Sequence, residues 1–464
     1  MITVSNRLPI VVSQTEQGPK IRAAAGGLVT ALTPVLRKHQ GMWIGWPGCP
    51  EDPTLQKQMD EFTGKHGYSL QGVDLTEAQV DQFYYGFSNE TLWPLFHDLL
   101  GHCHFSAEHW KCYQEVNELF AEQIIKSAPA DKMVWVHDYQ LLLVGAALKS
   151  RGFKAPIKFF LHIPFPSPDL FRRLPWRRQI IEAMMEYDLI GLQTLHDRKN
   201  FVACVREFYM EVEAETRRRY TLLLWRGRKV KVGHYPISID FDEFDQQARS
   251  EEVAEKAWFL HENLEDRQLV LGIDRLDYTK GVPERFLAFE RLLEKYPELR
   301  SKVSLLQVVV PSRTLVPEYQ QLKNQLDQLA GRINSSFGEP GWVPIHYVFR
   351  SLNRVELLAH YRACEIGLIT PLRDGMNLVA KEYCAASIDN NGVLVLSEFA
   401  GAADQMKKHA LLVNPYDVEG MADTLYEAVK MPLIERTRRM KMLRSGIRRN
   451  DVYQWVEWIL GDRG

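Results

Sequence analysis

Two positively charged side chains follow an apolar run in the second half of the chain. In the segment GIDRLDYTKG, Arg275 and Lys280 come after the strand-like run Leu269–Ile273 and before a helical segment. Nearby cations and the free N–H groups of a helix N-terminus both favour binding of an anion. Removing two cations from water without an anion beside them would be costly. We therefore predict a phosphate site here, with ion pairs to Asp274 or Asp277 as the alternative.

A third cation and two carboxylates follow other apolar runs of the same half. Arg313 ends the segment VVVPSR, and arginine suits bidentate binding of phosphate. In ITPLRDGMNLVAKEY, Asp374 and Glu382 lie on either side of a helix start near Asn377. Their oxygens could accept hydrogen bonds from sugar and ribose hydroxyls, or they could be the acid and base of a glycoside hydrolase. Because a hydrolase does not need phosphate-binding cations, the pattern favours a nucleotide sugar.

The first half also places polar residues after apolar runs. Arg7 follows the first run, Asp138 follows VWVH, and His162 lies at the end of FFLH. Gly26 and Gly27 open a helix-like stretch, where paired glycines let the backbone approach an anion. Each feature alone is more often structural, as a solvated arginine, a turn or a core histidine. Two polar strand ends in one sheet favour a site.

Short apolar runs alternate with longer amphipathic segments along the chain. This alternation is typical of parallel sheets covered by helices, so we predict two doubly wound α/β domains. Ligands bind beyond the carboxyl ends of the strands in such sheets, which would place the site in a cleft between the domains. The predicted strands are Ile2–Val4, Met133–Val136, Ile157–His162, Leu189–Gln193, Val230–Gly233, Leu269–Ile273, Val303–Val310, Glu365–Ile369, Val393–Leu396 and Leu411–Val413.

The domain boundary is expected near Pro236–Asp242, where a strand ends and an acidic, helical stretch follows. We assign residues 1–240 to an N-terminal Rossmann-like domain and residues 241–449 to a C-terminal one. A helix over about residues 450–464 is expected to pack back on the first domain. The polar stretch Glu213–Lys231 is expected to form a solvated face.

The composition is that of a compact globular chain of 464 residues, 45% hydrophobic and 25% charged, with a net charge of −2. This charge gives no reason to expect nucleic acid or an anionic membrane as partner. The longest apolar run, Leu141–Leu148, is far shorter than the ~20 residues of a membrane helix, and the N-terminus lacks a signal-peptide pattern. The six cysteines are scattered without metal-ligand spacing, so we expect reduced thiols, a cytoplasmic location and no metal site.

From residue 1 to about residue 460 the chain resembles the bacterial trehalose-6-phosphate synthase family, the retaining glucosyltransferases of family 20. The resemblance rests on SNRLP, AGGL, GFSNETLWP, WVHDY, FFLHIPFPSP, RLDYTKGVPERFLAFERLLEKYP, TPLRDGMNLVAKEY and VLVLSEFAGAA. It implies the GT-B architecture, in which two Rossmann-like domains face a central cleft. It also implies transfer of glucose from a nucleotide sugar, UDP-glucose in this family, to glucose 6-phosphate.

The resemblance implies an acceptor pocket in the N-terminal domain. Arg7 and Arg313 would hold the phosphate of glucose 6-phosphate. Tyr84, Trp93 and Asp138 would shape the pocket and bind the sugar hydroxyls.

The resemblance also implies a donor pocket and four catalytic residues, Arg275, Lys280, His162 and Asp374. Asp374 and His162 would bind the transferred glucose, and Arg275 and Lys280 would bind the diphosphate. The implied donor-binding residues are Gly26, Gly27, Arg275, Lys280, Leu352 beside the uracil, and Leu378, Val379, Ala380, Lys381 and Glu382 at the diphosphate and ribose. Family members retain the α configuration without an evident enzymic nucleophile, which indicates front-face displacement. The cations would stabilise the leaving diphosphate, so no metal cofactor is expected.

Other interpretations stay open. Glycerol 3-phosphate could replace the sugar acceptor, giving glucosylglycerol phosphate, although the aromatic residues of GFSNETLWP favour a pyranose. A non-catalytic regulatory subunit of a trehalose-making assembly should have lost catalytic residues, and those implied here are all present. The sequence does not determine the nucleotide of the donor (UDP, ADP or GDP) or the oligomeric state, with a homodimer or homotetramer among the options.

Overall fold

The computed structural model describes residues 1–15, 18–24, 27–49, 53–127, 129, 131–262, 267–313 and 316–461. The chain divides into two compact units, one of Met1–Pro236 with Val456–Gly464 and the other of Ile237–Trp455. Each unit is built on a sheet of parallel strands with helices between them. The predicted α/β class with two Rossmann-like sheets is confirmed.

The first unit contains a nine-stranded sheet in the order β5-β4-β1-β6-β7-β8-β11-β10-β9, with β2 and β3 as a separate hairpin. From β5 to β11 all neighbours are parallel, and β10 and β9 add an antiparallel edge. The strands are β1 Ile2–Arg7, β2 Ile10–Thr15, β3 Gly18–Ala23, β4 Met42–Trp46, β5 Ser69–Gly72, β6 Val134–His137, β7 Ile157–Phe160, β8 Leu189–Leu192, β9 Glu213–Thr216, β10 Tyr220–Trp225 and β11 Arg228–His234.

The central strands β6, β7 and β8 are buried along their whole length, as expected for a sheet covered on both faces. A π-helix spans Val80–Leu92, whereas the other long helices are α-helical. The α-helices of this unit's first segment are α1 Gly27–Lys38, α2 Pro53–His66, α3 Glu77–Gln79, α4 Trp93–Phe96, α5 Ala107–Ser127, α6 Val144–Ser150, α7 Pro168–Phe171, α8 Arg177–Met184 and α9 Leu195–Phe208.

The second unit contains a six-stranded sheet in the order β14-β13-β12-β15-β16-β17, parallel throughout. Counted from its first strand, this is the order 3-2-1-4-5-6 of the classical dinucleotide-binding fold, and the direction of winding reverses beside β12. The strands are β12 Gln268–Arg275, β13 Val303–Val310, β14 Ile345–Phe349, β15 Ile366–Ile369, β16 Val393–Ser397 and β17 Leu411–Val413.

The helices of the second unit supply much of its core. In the helix after β12, the side chains of Phe286, Phe289, Leu292 and Leu293 form an apolar stripe and are fully buried. Each such side chain contributes about 1.5–3 kcal/mol of burial free energy. The helices are α10 Phe241–Ala248, α11 Glu251–Glu262, α12 Val282–Lys295, α13 Pro317–Phe337, α14 Arg354–Ala363, α15 Leu378–Ala386, α16 Ala403–Met406, α17 Val418–Lys430, α18 Leu433–Arg449 and α19 Val452–Leu460, the last crossing into the first unit's C-terminal segment.

The ten predicted strands all occur, two of them with the predicted bounds and the others with ends shifted by one to three residues. The polar stretch expected as a solvated face forms β9, which is exposed at every residue, and β10 and β11, which bury alternate side chains. All six cysteines carry free thiols. Among the residues that the structure describes, no helix is both long and apolar enough to cross a bilayer.

Candidate active site

The loop after β12 brings the first predicted cations to the reversal point of the second unit's sheet. Arg275 is the last residue of β12 and is exposed. A single 3₁₀ turn, Tyr278–Lys280, follows, and Gly281 then starts α12 with a φ of +63°. A Cβ atom on Gly281 would overlap the carbonyl oxygen of Thr370, so this turn requires glycine.

The ammonium of Lys280 is paired with a carboxylate from a different strand. Its Nζ donates to Asp374 Oδ2 at 2.6 Å, and the two side chains are only 11% and 15% exposed. Asp374 lies in the loop after β15, where Asn377 Nδ2 also donates to its Oδ2 at 3.1 Å. The ion-pair partner of Lys280 is therefore Asp374, neither of the two aspartates considered in the sequence.

Arg313 is paired with Asp277 in the same loop. Its Nη1 lies 3.7 Å from Asp277 Oδ2 and also donates to the hydroxyl of Tyr319. Arg313 has a φ of 48°, an uncommon value for a residue other than glycine. Burial by itself would raise the pKa of Asp277, but the cations Arg313, Lys280 and Arg275 outweigh burial and lower it. Asp277 is thus a buried carboxylate that is paired with Arg313 and lies in a positively charged region.

A buried ion pair that the sequence analysis missed supports this loop. Arg285, on α12, is fully buried and donates from Nη1 to Asp274 Oδ2 at 2.6 Å and to Gln307 Oε1 at 2.9 Å. Its Nη2 also donates to the carbonyl of Lys280 at 3.5 Å. The signal was an arginine beside Phe286, on the apolar face of the predicted helix. Removing one partner of such a pair typically costs about 3–5 kcal/mol.

The predicted helix start near Asn377 is confirmed by α15. Asn377 has a φ of 73° and caps the helix by accepting from the backbone N–H of Ala380 at 3.4 Å. Leu378 and Val379 are half-buried in the first turn, whose N–H groups have no partner within the helix. The first turn of α15 can therefore donate to an anion or a hydroxyl.

The two charged residues of α15 are held by protein groups. Glu382 Oε2 accepts from the hydroxyl of Tyr361 at 2.8 Å, and burial raises the pKa of this carboxyl. Lys381 is 1% exposed, and its Nζ donates to the carbonyl of Ile237 and to Gln405 Oε1, both at 2.7 Å. Burial lowers the pKa of Lys381 to about 7. Its ammonium is thus occupied inside the unit, which leaves the backbone as the part available to a ligand.

Leu352 lies in the loop between β14 and α14 and is half-buried. Gly27 is the first residue of α1, whereas Gly26 lies outside the described residues.

In the first unit, Arg7 ends β1 and is held beside an aromatic ring. Its guanidinium lies 4.5 Å from the ring centroid of Trp46. Gly48, with a φ of +91°, leaves room for it, because a Cβ atom there would overlap the guanidinium. Arg7 is the exposed last residue of β1, and partial burial of its guanidinium lowers its pKa. A guanidinium stays charged at neutral pH, so this is a positioned cation.

Asp138 follows β6 with an unusual backbone conformation. Its φ is 75°, its N–H donates to the carbonyl of Phe160 at 2.8 Å, and its Oδ1 accepts from the backbone of His162 at 3.2 Å. Such conformations cost about 1–3 kcal/mol and cluster at functional sites. The structure thus brings Asp138 and His162 together at the carboxyl ends of β6 and β7.

His162 is coupled to a second histidine. Its Nε2 lies 3.1 Å from Nδ1 of His137, so one ring donates and the other accepts. Burial lowers the pKa of His162 to about 3 and that of His137 well below its ordinary value. Some surface of His162 remains accessible, but both rings are neutral at physiological pH.

The π-helix carries Tyr84, and Trp93 follows it directly. Asn89 Nδ2 donates to the carbonyl of Tyr84 at 2.6 Å, and its Oδ1 accepts from the hydroxyl of Tyr139 at 2.8 Å. The ring of Trp93 lies 5.6 Å from that of Tyr139, which is the residue after Asp138. Asn89, a residue not singled out in the sequence analysis, therefore joins the motif GFSNETLWP to the end of β6.

Comparison with known proteins shows the family of this chain. The family model described as glycosyltransferase family 20 matches residues 1–462. A trehalose-6-phosphate synthase of Mycolicibacterium gilvum is 41% identical over 465 residues, covering 99% of this chain and 92% of that protein. A bifunctional trehalose-6-phosphate synthase/phosphatase of Thermoproteus tenax is 41% identical over 467 residues, covering 98% of this chain but only 62% of that protein.

A solved structure shows the same fold. The α,α-trehalose-phosphate synthase (UDP-forming) of Burkholderia xenovorans, in complex with glucose-6-phosphate, matches with a TM-score of 0.89 and 37% identity over 99% of both chains. The predicted GT-B fold class is confirmed by this match together with the two Rossmann-like sheets. The chain belongs to glycosyltransferase family 20.

Proposed function

We propose that this glycosyltransferase moves glucose from UDP-glucose to glucose 6-phosphate, releasing UDP and forming α,α-trehalose 6-phosphate. The relatives named above are trehalose-6-phosphate synthases, and the Burkholderia enzyme is UDP-forming and was solved with glucose-6-phosphate. A new bond forms between the anomeric oxygen of the acceptor and C1 of the donor glucose. The bond from C1 to the diphosphate oxygen breaks, and the acceptor proton passes to the leaving diphosphate.

The observation that carries this proposal is the cation cluster at the reversal point of the second unit's sheet. Lys280 and Arg275 lie between β12 and the N-terminus of α12, and Asp374 holds the Lys280 ammonium. Negative charge grows on the diphosphate as the glycosidic bond breaks. Cations and helix N–H groups that are already fixed in place stabilise that charge without reorganisation. We propose that they do so without a metal ion.

The carboxylates of this region support front-face displacement with retention. Asp374 is paired with Lys280, and Glu382 accepts from Tyr361. Neither arrangement is that of an enzymic nucleophile or of the acid–base pair of a glycoside hydrolase, which must act on the sugar directly. We assign Asp374 to the hydroxyls of the transferred glucose. The backbone of Leu378–Glu382 is assigned to the diphosphate and ribose, and Leu352 to the base.

The acceptor is assigned to Arg7, Tyr84, Trp93 and Asp138, with Arg313 as a further phosphate ligand. Arg7 is a positioned cation beside the ring of Trp46, and a sugar phosphate requires such a cation. Asp138 offers a carboxylate at a strand end, and aromatic rings pack well against a pyranose. His162 is neutral, so it is assigned to hydrogen bonding with the transferred glucose and not to charge stabilisation.

The test is a panel of UDP-, ADP- and GDP-glucose against glucose 6-phosphate and glycerol 3-phosphate. Released nucleotide is measured, and the anomeric configuration of the product is read by NMR. We expect α,α-trehalose 6-phosphate from UDP-glucose and glucose 6-phosphate. Hydrolysis of the donor alone, or turnover only with glycerol 3-phosphate, would refute the proposal. The six free thiols support a reducing compartment, and we propose the cytoplasm.

A further inference from the structure

A group of side chains of the types that bind metal ions lies near the end of the π-helix in the first unit, and none of its members is assigned a role above. Glu90 is near the end of the π-helix, His104 is in the loop before α5, and His109 is in the first turn of α5. One ligand atom from each lies within 4.8 Å of the other two. His104 Nδ1 is 3.5 Å from Glu90 Oε2. We refer to these three residues as the Glu90 cluster.

Backbone contacts hold the cluster together independently of its own side chains. The N–H of His104 donates to the carbonyl of Glu90 at 2.8 Å, and the hydroxyl of Thr91 donates to the carbonyl of His104. The N–H of His109 donates to Ser106 Oγ at 3.3 Å. The three side chains are therefore brought together by the fold, and a ligand would not have to order the segments that carry them.

One ring nitrogen of His109 has no hydrogen-bond partner among the described residues. This nitrogen, Nδ1, is buried, and the ring packs against Gly86 of the π-helix. A buried polar nitrogen without a partner is uncommon. His104 and Glu90 are 65% and 40% exposed, so an ion has a path from solvent to the cluster.

We propose that the Glu90 cluster binds one divalent transition-metal ion of the Zn²⁺ class. Two imidazoles and a carboxylate suit zinc and its neighbours better than Mg²⁺ or Ca²⁺, which prefer oxygen ligands alone. With bonds of about 2.0–2.2 Å, two ligands of a tetrahedral ion lie roughly 3.4 Å apart. The distance between His104 and Glu90 already matches this value. Three protein ligands leave a position for water, and small rotations of the two exposed side chains would close the set.

The test uses the full chain without an affinity tag, freed of metal by a chelator that is then removed. Zn²⁺ binding is measured by calorimetry, and Co²⁺ binding by the visible absorption of a tetrahedral site. The variants are His104→Ala and Glu90→Gln, which change exposed side chains. The matched control is His196→Ala, an exposed histidine of α9 outside the cluster. Circular dichroism verifies that each variant is folded.

We expect one equivalent of Zn²⁺ to bind the wild type and His196→Ala with equal affinity. Each cluster variant should weaken binding at least about 10-fold, since loss even of outer-shell partners costs 10–100-fold. The proposal is overturned if the wild type shows no saturable single-equivalent binding. It is also overturned if either cluster variant binds Zn²⁺ as the control does.

Discussion

The buried ammonium of Lys381 should make the free energy of unfolding depend on pH. The substitution Lys381→Met should remove this dependence. Lys381 lies in α15, and its Nζ is enclosed between the carbonyl of Ile237 and the amide oxygen of Gln405. Burial lowers the pKa of this group to about 7 in the folded chain, against an ordinary value of 10.5. In Lys381→Met the titrating group is gone while most of the side-chain volume is kept.

The direction in which stability changes with pH follows from the pKa values of Lys381 in the folded and the unfolded chain. Between pH 7 and pH 10.5 the unfolded chain keeps the proton on Lys381 and the folded chain does not, so the free energy of unfolding rises with pH. Below pH 7 both states carry the proton, and the folded state bears the full cost of the buried charge. At about 1.4 kcal/mol per pH unit, the wild type should gain roughly 2.7 kcal/mol relative to Lys381→Met between pH 6 and pH 9.

The assay is urea unfolding of both proteins at pH 6 and pH 9, with fluorescence as the probe. The substitution also removes two hydrogen bonds, but that loss is the same at both pH values and cancels in the difference. Lys407→Met, at an exposed lysine of the same unit, is the control and should show no such gain. Equal pH dependence of the wild type and Lys381→Met would refute a lowered pKa and the reasoning from burial.

Three further predictions concern the reaction. Lys280→Ala should lower kcat about 100-fold or more and UDP affinity by less, because the cation acts most strongly on the charge of the transition state. A raised donor KM with unchanged kcat would contradict this prediction. Arg313→Ala should lower kcat/KM for glucose 6-phosphate roughly 10- to 150-fold and leave UDP binding nearly unchanged, whereas an equal loss of UDP affinity would place Arg313 at the donor. Activity should survive saturating EDTA; loss of activity that Mg²⁺ restores would show that a metal neutralises the diphosphate.

Much of the second unit could be predicted because its strands are continuous apolar runs. Val303–Val310 is buried throughout except at its end and was predicted with the observed bounds. Strand β14, with sequence IHYVF, was missed because it is half-buried and carries polar residues. Strand β5, with sequence SLQG, was missed for the same reason, because it is mostly half-buried and carries polar residues, and β4 was missed as well.

For the candidate site, the sequence indicated residue types but not their partners. Two cations after a strand predicted an anion site, yet the partner of Lys280 is Asp374, 94 residues away. Linear spacing does not report which loops meet at the end of a sheet. The same limit applies to the Glu90 cluster, whose residues come from a π-helix, a loop and α5. Its spacing matches no metal-binding motif, so the sequence predicted no metal site.

The π-helix also determines on which side of the segment Tyr84–Trp93 each side chain lies. Tyr84 and Trp93 are nine residues apart, and at 3.6 residues per turn an α-helix would place them on opposite sides. Bonds from i to i+5, such as the one from Trp93 N–H to the carbonyl of Ser88, give roughly 4.4 residues per turn. Nine residues then make close to two full turns, which returns both aromatic side chains to the same side. Deleting a single residue between them, or redesigning the segment as an ideal α-helix, would separate the pair while leaving both residues in the sequence.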